Sequence, residues 1–175
     1  MNNFSISTIQ YNPDLILGSL TSPNTEVRSL TILELRVLNK IFLFKSPILS
    51  ALYFNLPPNF IGWIHQDNSP KNQNPVTFAL NVPLDDCSRI YMNWFTKKEN
   101  TESRTFLGVT GTYNDIPLLD QENSIKTESV NYYCPLVVKV DDWHSVDNIG
   151  KLHSRFLSLR FSTKLSKEQI LNIQR

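Results

Sequence analysis

Short runs of apolar, β-branched and aromatic residues, separated by polar turns, fill the chain from about residue 60 onward. These runs have the length of strands, and in the last of them apolar and polar residues alternate with the period of two that a strand requires. The pattern predicts strands at 61–65, 76–82, 88–95, around 106–112, at 132–140 and at 155–161. So many short strands favour an all-β sandwich or barrel.

The segment before residue 60 has a different, helical pattern. Apolar residues recur at helical spacing up to Phe44, and Ser22-Pro23 followed by Glu26 resembles a helix start. We therefore predict one amphipathic helix over about residues 26–45, preceded by a polar, turn-rich segment.

The remaining segments complete the predicted domain. Ser166 is a plausible cap for a short C-terminal helix, and the polar stretch 114–131 is predicted to be loop. The chain has 175 residues, the size of one ordinary domain. We expect a single domain over residues 1–175, with its β core at about 60–162.

Composition and charge exclude several classes of protein. Hydrophobic residues make up 41% of the chain and charged residues 19%, which is the balance of a folded globular protein. The formal net charge of +1 provides no global attraction to nucleic acid or to an acidic membrane. Polar residues interrupt the longest apolar stretch, 41–56, so no membrane span is predicted. A cytoplasmic protein is the expectation, with Cys87 and Cys134 as two buried thiols without a disulfide.

His65 and Asp67 form the first candidate site. They lie two residues apart at the end of a predicted strand, so both side chains project from the same side of an extended chain. A ferrous ion accepts such a pair, and a second imidazole would complete a two-His, one-carboxylate facial triad. A His-x-Asp pair also occurs by chance in many chains, so alone it is a weak signal.

His144 is the candidate for that second imidazole. It follows a strongly apolar strand and lies among polar residues, which is unusual for a buried structural histidine. Asp147 or Asn148 could orient it through hydrogen bonds. Arg155 lies eleven residues further on, in the next predicted strand. Because arginine grips carboxylates bidentately, we predict that Arg155 points into the same cavity and holds the far carboxylate of 2-oxoglutarate.

Several segments in order resemble the 2-oxoglutarate and Fe(II) dependent oxygenases, and within them the small bacterial and phage aspartyl/asparaginyl β-hydroxylase-like proteins. The segments, which span about residues 60–162, are His65-Gln-Asp67, Phe78-Ala-Leu-Asn-Val-Pro-Leu84, Ile90-Tyr-Met-Asn-Trp-Phe95, Trp143-His144-Ser-Val and Arg155-Phe-Leu-Ser-Leu-Arg-Phe161.

The resemblance implies a mainly β fold, a double-stranded β-helix or cupin-like jelly roll. His65 and Asp67 would lie on its second strand, His144 on its seventh and Arg155 on its eighth. Fe(II) and 2-oxoglutarate would bind together, and decarboxylation to succinate with O2 would drive hydroxylation of a C–H bond. The presence of Asp67 favours hydroxylation over halogenation. The substrate would be a small molecule or a peptide.

Three further residues concern the cosubstrate. Many relatives carry Ser or Thr two residues after the binding arginine, whereas this chain has Leu157 there, which leaves Arg160 as a rival of Arg155. Tyr91 and Asn81 are candidate cosubstrate contacts, although packing roles are equally compatible with the pattern. The departure also keeps an alternative open, a non-catalytic cupin-like jelly roll that binds a metal or a small acid.

Overall fold

Antiparallel strands dominate the structure, a computed structural model that describes residues 3–21, 27–67, 76–106, 116–161 and 165–174. The described strands are β1 (Phe4–Ile6), β2 (Val27–Ser29), β3 (Ser50–Leu56), β4 (Ile64–His65), β5 (Phe78–Pro83), β6 (Ile90–Lys97), β7 (Arg104–Phe106), β8 (Ile116–Leu119), β9 (Ser124–Asn131), β10 (Leu136–Lys139), β11 (His144–Asn148) and β12 (Ser154–Arg160). The described helices are α1 (Pro13–Gly18), α2 (Ile32–Phe42) and α3 (Lys167–Leu171), with a 3-10 turn at Gln121–Asn123.

The strands form two six-stranded sheets. The order is β1-β10-β5-β12-β3-β2 in the first sheet and β7-β8-β4-β11-β6-β9 in the second. From β3 to β12 the chain passes repeatedly between the two sheets, and the four strands β3, β12, β5 and β10 face the four strands β4, β11, β6 and β9. This is the topology of a double-stranded β-helix. The predicted mainly β jelly-roll fold is therefore confirmed.

Strand β12 is buried on both of its faces. Phe156 packs into the apolar cluster between the two sheets, together with residues such as Trp94 and Val138. Leu157 and Leu159 point the other way, into a second cluster that the helices cover. Because neither face of the strand meets water, the first sheet is a middle layer between the helices and the second sheet.

The N-terminal amphipathic helix is not confirmed in its predicted form. Helix α2 lies inside the predicted range of 26–45 but is shorter, and the predicted start at 22–26 lies outside the described residues. The helix begins after Thr31, whose side chain accepts from the Glu34 backbone while the Glu34 carboxylate accepts from Thr31. Apolar Ile32 and Leu33 are exposed rather than buried.

Other local predictions had mixed outcomes. The short C-terminal helix is present as α3, with Ser166 at its N-cap. The predicted loop at 114–131 is wrong, because β8 and β9 lie in it. Helix α1, capped by Asn12, was not predicted. No helix in the described ranges is long and apolar enough to cross a membrane.

Candidate metal centre

Strands β4 and β11 bring the two candidate histidines together. They pair antiparallel in the second sheet, and their register places His65 directly opposite His144. Asp67 lies two residues beyond His65, where its backbone N–H donates to the Val140 carbonyl at 3.0 Å. The His-x-Asp segment and the distal histidine are therefore fixed to neighbouring strands.

The side chains of His65, Asp67 and His144 converge on one point. Their potential ligand atoms all lie within 4.8 Å of one another. Oδ1 of Asp67 is 3.3 Å from Nε2 of His65 and 3.5 Å from Nε2 of His144. Asp67 and His144 are almost fully buried, whereas the His65 side chain retains 28% exposure. The site thus has one partly open side.

Backbone carbonyls orient both imidazole rings. Nδ1 of His65 lies 2.9 Å from the Trp63 carbonyl, and Nδ1 of His144 lies 2.9 Å from the Asp142 carbonyl. A carbonyl can only accept, so each Nδ1 carries a proton and donates it. Loss of the Nε2 proton from a ring then leaves its lone pair on Nε2, which is the tautomer that a metal ligand needs.

The charges of the cluster favour an ionised Asp67 carboxylate beside the two imidazoles. Burial alone would raise the pKa of Asp67, but Arg160 and the two histidines outweigh it and hold that pKa well below its usual range. Burial and the neighbouring His65 lower the pKa of His144. For His65, the hydrogen bond and charge of Asp67 outweigh burial and raise its pKa. Asp67 is therefore ionised and His144 is neutral at pH 7, as metal ligation requires.

The expected hydrogen-bonding partners of His144 are not the ones observed. The Asp147 carboxylate accepts from the Gly62 backbone and from Asn93, on the far side of the sheet. Asn148 donates to three backbone carbonyls at the opposite end of β11. His144 is instead oriented by the backbone of Asp142, two residues before it.

Gly62 allows the segment before His65 to approach β11 closely. A Cβ built on Gly62 would lie 2.4 Å from the Val146 carbonyl oxygen and 3.1 Å from its nitrogen. Any side chain there would force the two backbones apart. The glycine therefore sets the distance between the strands that carry the two histidines.

The structure does not bring Arg155 to the three converging side chains. Arg155 lies on the helix-covered face of β12, where its Nε donates to Oδ2 of Asp85 at 2.7 Å and its backbone N–H donates to Oδ1 at 2.8 Å. Side chains alternate along a strand, so residues five positions apart point to opposite faces. Arg160 consequently points into the interior in place of Arg155.

Arg160 is the buried cation next to the candidate metal centre. Its Nη2 donates to Oδ2 of Asp67 at 2.5 Å, and its Nη1 donates to Oγ of Ser158 at 2.5 Å. Oδ2 of Asp67 is thus held by Arg160 while Oδ1 faces the two imidazoles. The carboxylate can bind a metal through one oxygen without losing its arginine partner.

A chain of buried polar side chains continues from Arg160 into the space between the sheets. Ser158 donates to Oδ1 of Asn81, whose Nδ2 donates to the Tyr132 hydroxyl at 2.6 Å. Burial raises the pKa of Tyr132, so its hydroxyl keeps its proton. Asn81, a predicted cosubstrate contact, therefore lies on the same buried chain of polar side chains as Arg160. Tyr91 does not, because it shares the outer face of the second sheet with Asp147, its cross-strand neighbour.

Ser158 and Tyr132 were not predicted as site residues. Ser158 belongs to the polar side of the alternating pattern in β12, and that polar side faces the interior. Tyr132 follows β9 and gave no signal in the sequence beyond its position in a predicted strand. The sequence signal for Ser158 is the alternation of polar with apolar residues in β12, a strand that is buried on both faces.

Comparisons with known proteins show a similarity of fold and no match in sequence to a known family or curated protein. No family model matches the chain, and no curated protein matches it. Among solved structures, it is similar to SnoK from nogalamycin biosynthesis, a non-heme α-ketoglutarate dependent carbocyclase. The TM-score is 0.52 at 10% identity, and the match covers 91% of this chain and 79% of that one. It also matches a Pseudomonas putida prolyl-4-hydroxylase, with a TM-score of 0.47, 8% identity and 93% of each chain covered. The first similarity establishes that the fold is shared with SnoK.

Proposed function

We propose that the chain is an Fe(II) and 2-oxoglutarate dependent oxygenase that hydroxylates a C–H bond of a small molecule or a peptide. The observation that carries this proposal is the convergence of His65, Asp67 and His144, with ligand atoms within 4.8 Å of one another. They converge inside a double-stranded β-helix and next to a buried arginine. Two imidazoles and one carboxylate with open positions are typical of non-heme Fe(II) oxygenases.

The donor atoms available to iron are Nε2 of His65, Nε2 of His144 and Oδ1 of Asp67. These three residues would hold the ion, and a three-ligand set of this kind would leave positions for a bidentate cosubstrate and O2. When iron and 2-oxoglutarate are bound, the chemistry supplied is oxidative decarboxylation to succinate and CO2, coupled to hydroxylation of the substrate. The protein's own residues hold the donors in place, exclude bulk water and orient the cosubstrate.

Arg160, rather than Arg155, is our candidate for the far carboxylate of 2-oxoglutarate. It is a permanent charge, it is 8% exposed, and it adjoins Asp67. Ser158, Asn81 and Tyr132 lie next along the same buried chain and offer further hydroxyl and amide groups. A dicarboxylate that enters this space would exchange the internal hydrogen bonds of these side chains for charge-assisted ones.

The decisive experiment is spectroscopic and anaerobic. Fe(II) and 2-oxoglutarate are added to the apoprotein, and the visible charge-transfer absorption of the ternary chelate is recorded. We expect the band with the wild type and its loss in His65→Ala. Succinate release under air is then measured with candidate substrates. Aspartyl and asparaginyl peptides come first, because of the resemblance to that branch of hydroxylases.

The two arginines of β12 provide a matched pair of variants. Arg160→Met is expected to retain iron and to weaken 2-oxoglutarate binding by about 10- to 100-fold, because a charge-assisted hydrogen-bonding partner is removed. Arg155→Met should leave 2-oxoglutarate affinity unchanged. Equal effects of the two variants would contradict the assignment of Arg160.

One observation favours a second function, a non-catalytic jelly roll that binds a metal or a small acid. Asp67 already satisfies Arg160 and lies near both histidines, so the cluster neutralises itself without an added ion. Tight binding of Fe(II) together with no succinate release across a broad substrate panel would establish this alternative.

A further inference from the structure

A second cavity lies on the outer face of the second sheet, away from the candidate metal centre. Its volume is about 570 Å³. Ser145 and Asp147 of β11 contribute to its lining, together with Phe95 of β6. These side chains alternate with His144 and Trp94, which point inward. The sheet therefore separates this cavity from the three converging ligands.

A buried amide lies under the floor of this cavity. Asn93 is 1% exposed, and its Nδ2 donates to Oδ2 of Asp147 at 2.7 Å. Its Oδ1 accepts from Nζ of Lys126 at 3.1 Å and from Ser129 at 2.8 Å. The amide thus holds a carboxylate on one side and an ammonium on the other.

The two charges are not neutralised by any residue that the structure describes. The Asp147 carboxylate accepts from the Gly62 backbone, from Asn93 and from Ser145, all of them neutral. Within the described ranges no carboxylate pairs with Lys126, whose hydrogen bond goes to Asn93. A carboxylate and an ammonium that face one cavity without pairing directly match a ligand carrying both opposite charges.

The separation of the two charges and the apolar lining of the cavity restrict the class of ligand further. The bonds to the two ends of one amide put Asp147 and Lys126 within about 8 Å of each other. An α-amino acid whose ammonium and carboxylate each make a hydrogen bond of about 2.8 Å spans a similar length. Ile61, Ile64 and Leu119 also line the cavity and offer apolar surface to a side chain.

We propose that this outer cavity binds a free apolar or aromatic α-amino acid, with its ammonium on Asp147 and its carboxylate on Lys126. The site is distinct from the oxygenase site, so the amino acid bound there is not the molecule that is oxidised. The floor also connects to the metal centre, because Asp147 accepts from Gly62 and the carbonyl of the next residue, Trp63, orients His65. The proposal does not depend on the iron chemistry, and it is tested on the apoprotein.

The test is calorimetric titration of the metal-free full chain with L-phenylalanine, N-acetyl-L-phenylalanine and L-phenylalaninamide. We expect saturable binding of the free amino acid and at least about tenfold weaker binding of each blocked analogue, because each has lost one charge. Lys126→Met should abolish the preference for L-phenylalanine over its amide. Lys126 is exposed, so this substitution does not threaten folding. Asp147→Asn should abolish the preference over the N-acetyl compound.

Lys45→Met, at a lysine that bonds Asn172 near the C-terminus, is the matched surface control, and Arg155→Met, on the helix-covered face of β12, is a second control. Both should bind L-phenylalanine as the wild type does. No binding by the wild type up to about 10 mM would overturn the proposal. So would binding that survives the removal of both charges.

Discussion

The two faces of β12 each carry one arginine, and the two arginines have different surroundings. On the helix-covered face, Arg155 forms a closed pair with Asp85, and Arg28 forms another with Glu34 nearby. On the interior face, Arg160 contacts a carboxylate whose other oxygen points at two imidazole nitrogens. In an ion pair of the first kind, each charge is neutralised by its partner, and the pair supports the fold. A cluster with converging lone pairs can also accept an ion.

The largest expected difference between the two faces comes from replacing the aspartate that each arginine of β12 contacts. Asp67→Ala should lower Fe(II) affinity by more than about 100-fold, since it removes a ligand. It should also destabilise the apoprotein by about 3–5 kcal/mol, because it removes one partner of a buried ion pair. Asp85→Ala should cost under about 1 kcal/mol, because its pair with Arg155 is partly exposed, and should retain iron. Equilibrium metal titration and urea unfolding measure both effects; similar iron affinities in the two variants would contradict the comparison.

A smaller effect is expected from the glycine between the histidine-bearing strands. Gly62→Ala should destabilise the fold by about 1–3 kcal/mol and weaken iron binding by about tenfold, because its Cβ would overlap the Val146 backbone. Gly18→Ala is the control, since nothing lies within 4 Å of a Cβ there. It should raise stability by about 0.5–1 kcal/mol. Unchanged iron affinity in Gly62→Ala would show that the strand spacing does not set the site.

The ion pair between Glu34 and Arg28 should make the stability of the protein depend on pH. Burial would raise the pKa of Glu34, but hydrogen bonds from Arg28 and two threonines outweigh burial and hold that pKa far below 4.5. Its stabilisation is therefore present above pH 4.5 and is lost progressively as the pH falls below that value. Glu34→Gln should cost about 1–2 kcal/mol at pH 7, and the difference from wild type should shrink by pH 3. Urea titrations at both pH values measure it; a constant difference would argue against a depressed pKa.

The smallest effect concerns the thiols, which form no disulfide with each other. Cys87 is 2% exposed, and burial together with Asp85 raises its pKa to about 12. Cys134 is half-buried, and burial also raises its pKa. Iodoacetamide at pH 8 should label Cys134 slowly and Cys87 not at all until denaturant is added. Mass spectrometry locates the label, and rapid native labelling of Cys87 would contradict this packing.

The sequence predicted the jelly roll and the meeting of His65, Asp67 and His144, but it preferred Arg155 over its rival Arg160 as the arginine that points into the interior. The alternation in β12 was visible, with Ser158 and Arg160 on one side. This alternation predicts a strand with one buried face, whereas the helices also bury the other face of β12. Arg155 was therefore assigned to the interior by its distance from His144, although its parity with Leu157 places it under the helices.

The strands that the local hydrophobic pattern did not predict have a different cause. Strand β9 occupies the edge of the second sheet, and most of its side chains between Ser124 and Ser129 meet solvent. An edge strand with a polar face lacks the apolar alternation that identifies inner strands. Strand β11 begins at His144 itself, so polar site residues stand where an apolar strand pattern would be expected. Tertiary pairing, rather than local pattern, determines both elements.

Three consecutive carbonyls after β10 hold two of the three proposed metal ligands and the residue between His65 and Asp67. Val140 accepts from the Asp67 backbone, Asp141 accepts from the Gln66 side chain at 2.8 Å, and Asp142 accepts from His144. Asp67 and His144 are thus anchored to a single turn, whereas His65 is held by the Trp63 carbonyl and by the pairing of β4 with β8 and β11. Because these carbonyls belong to the backbone, the side chains of this turn can be varied while the positions of Asp67 and His144 are retained.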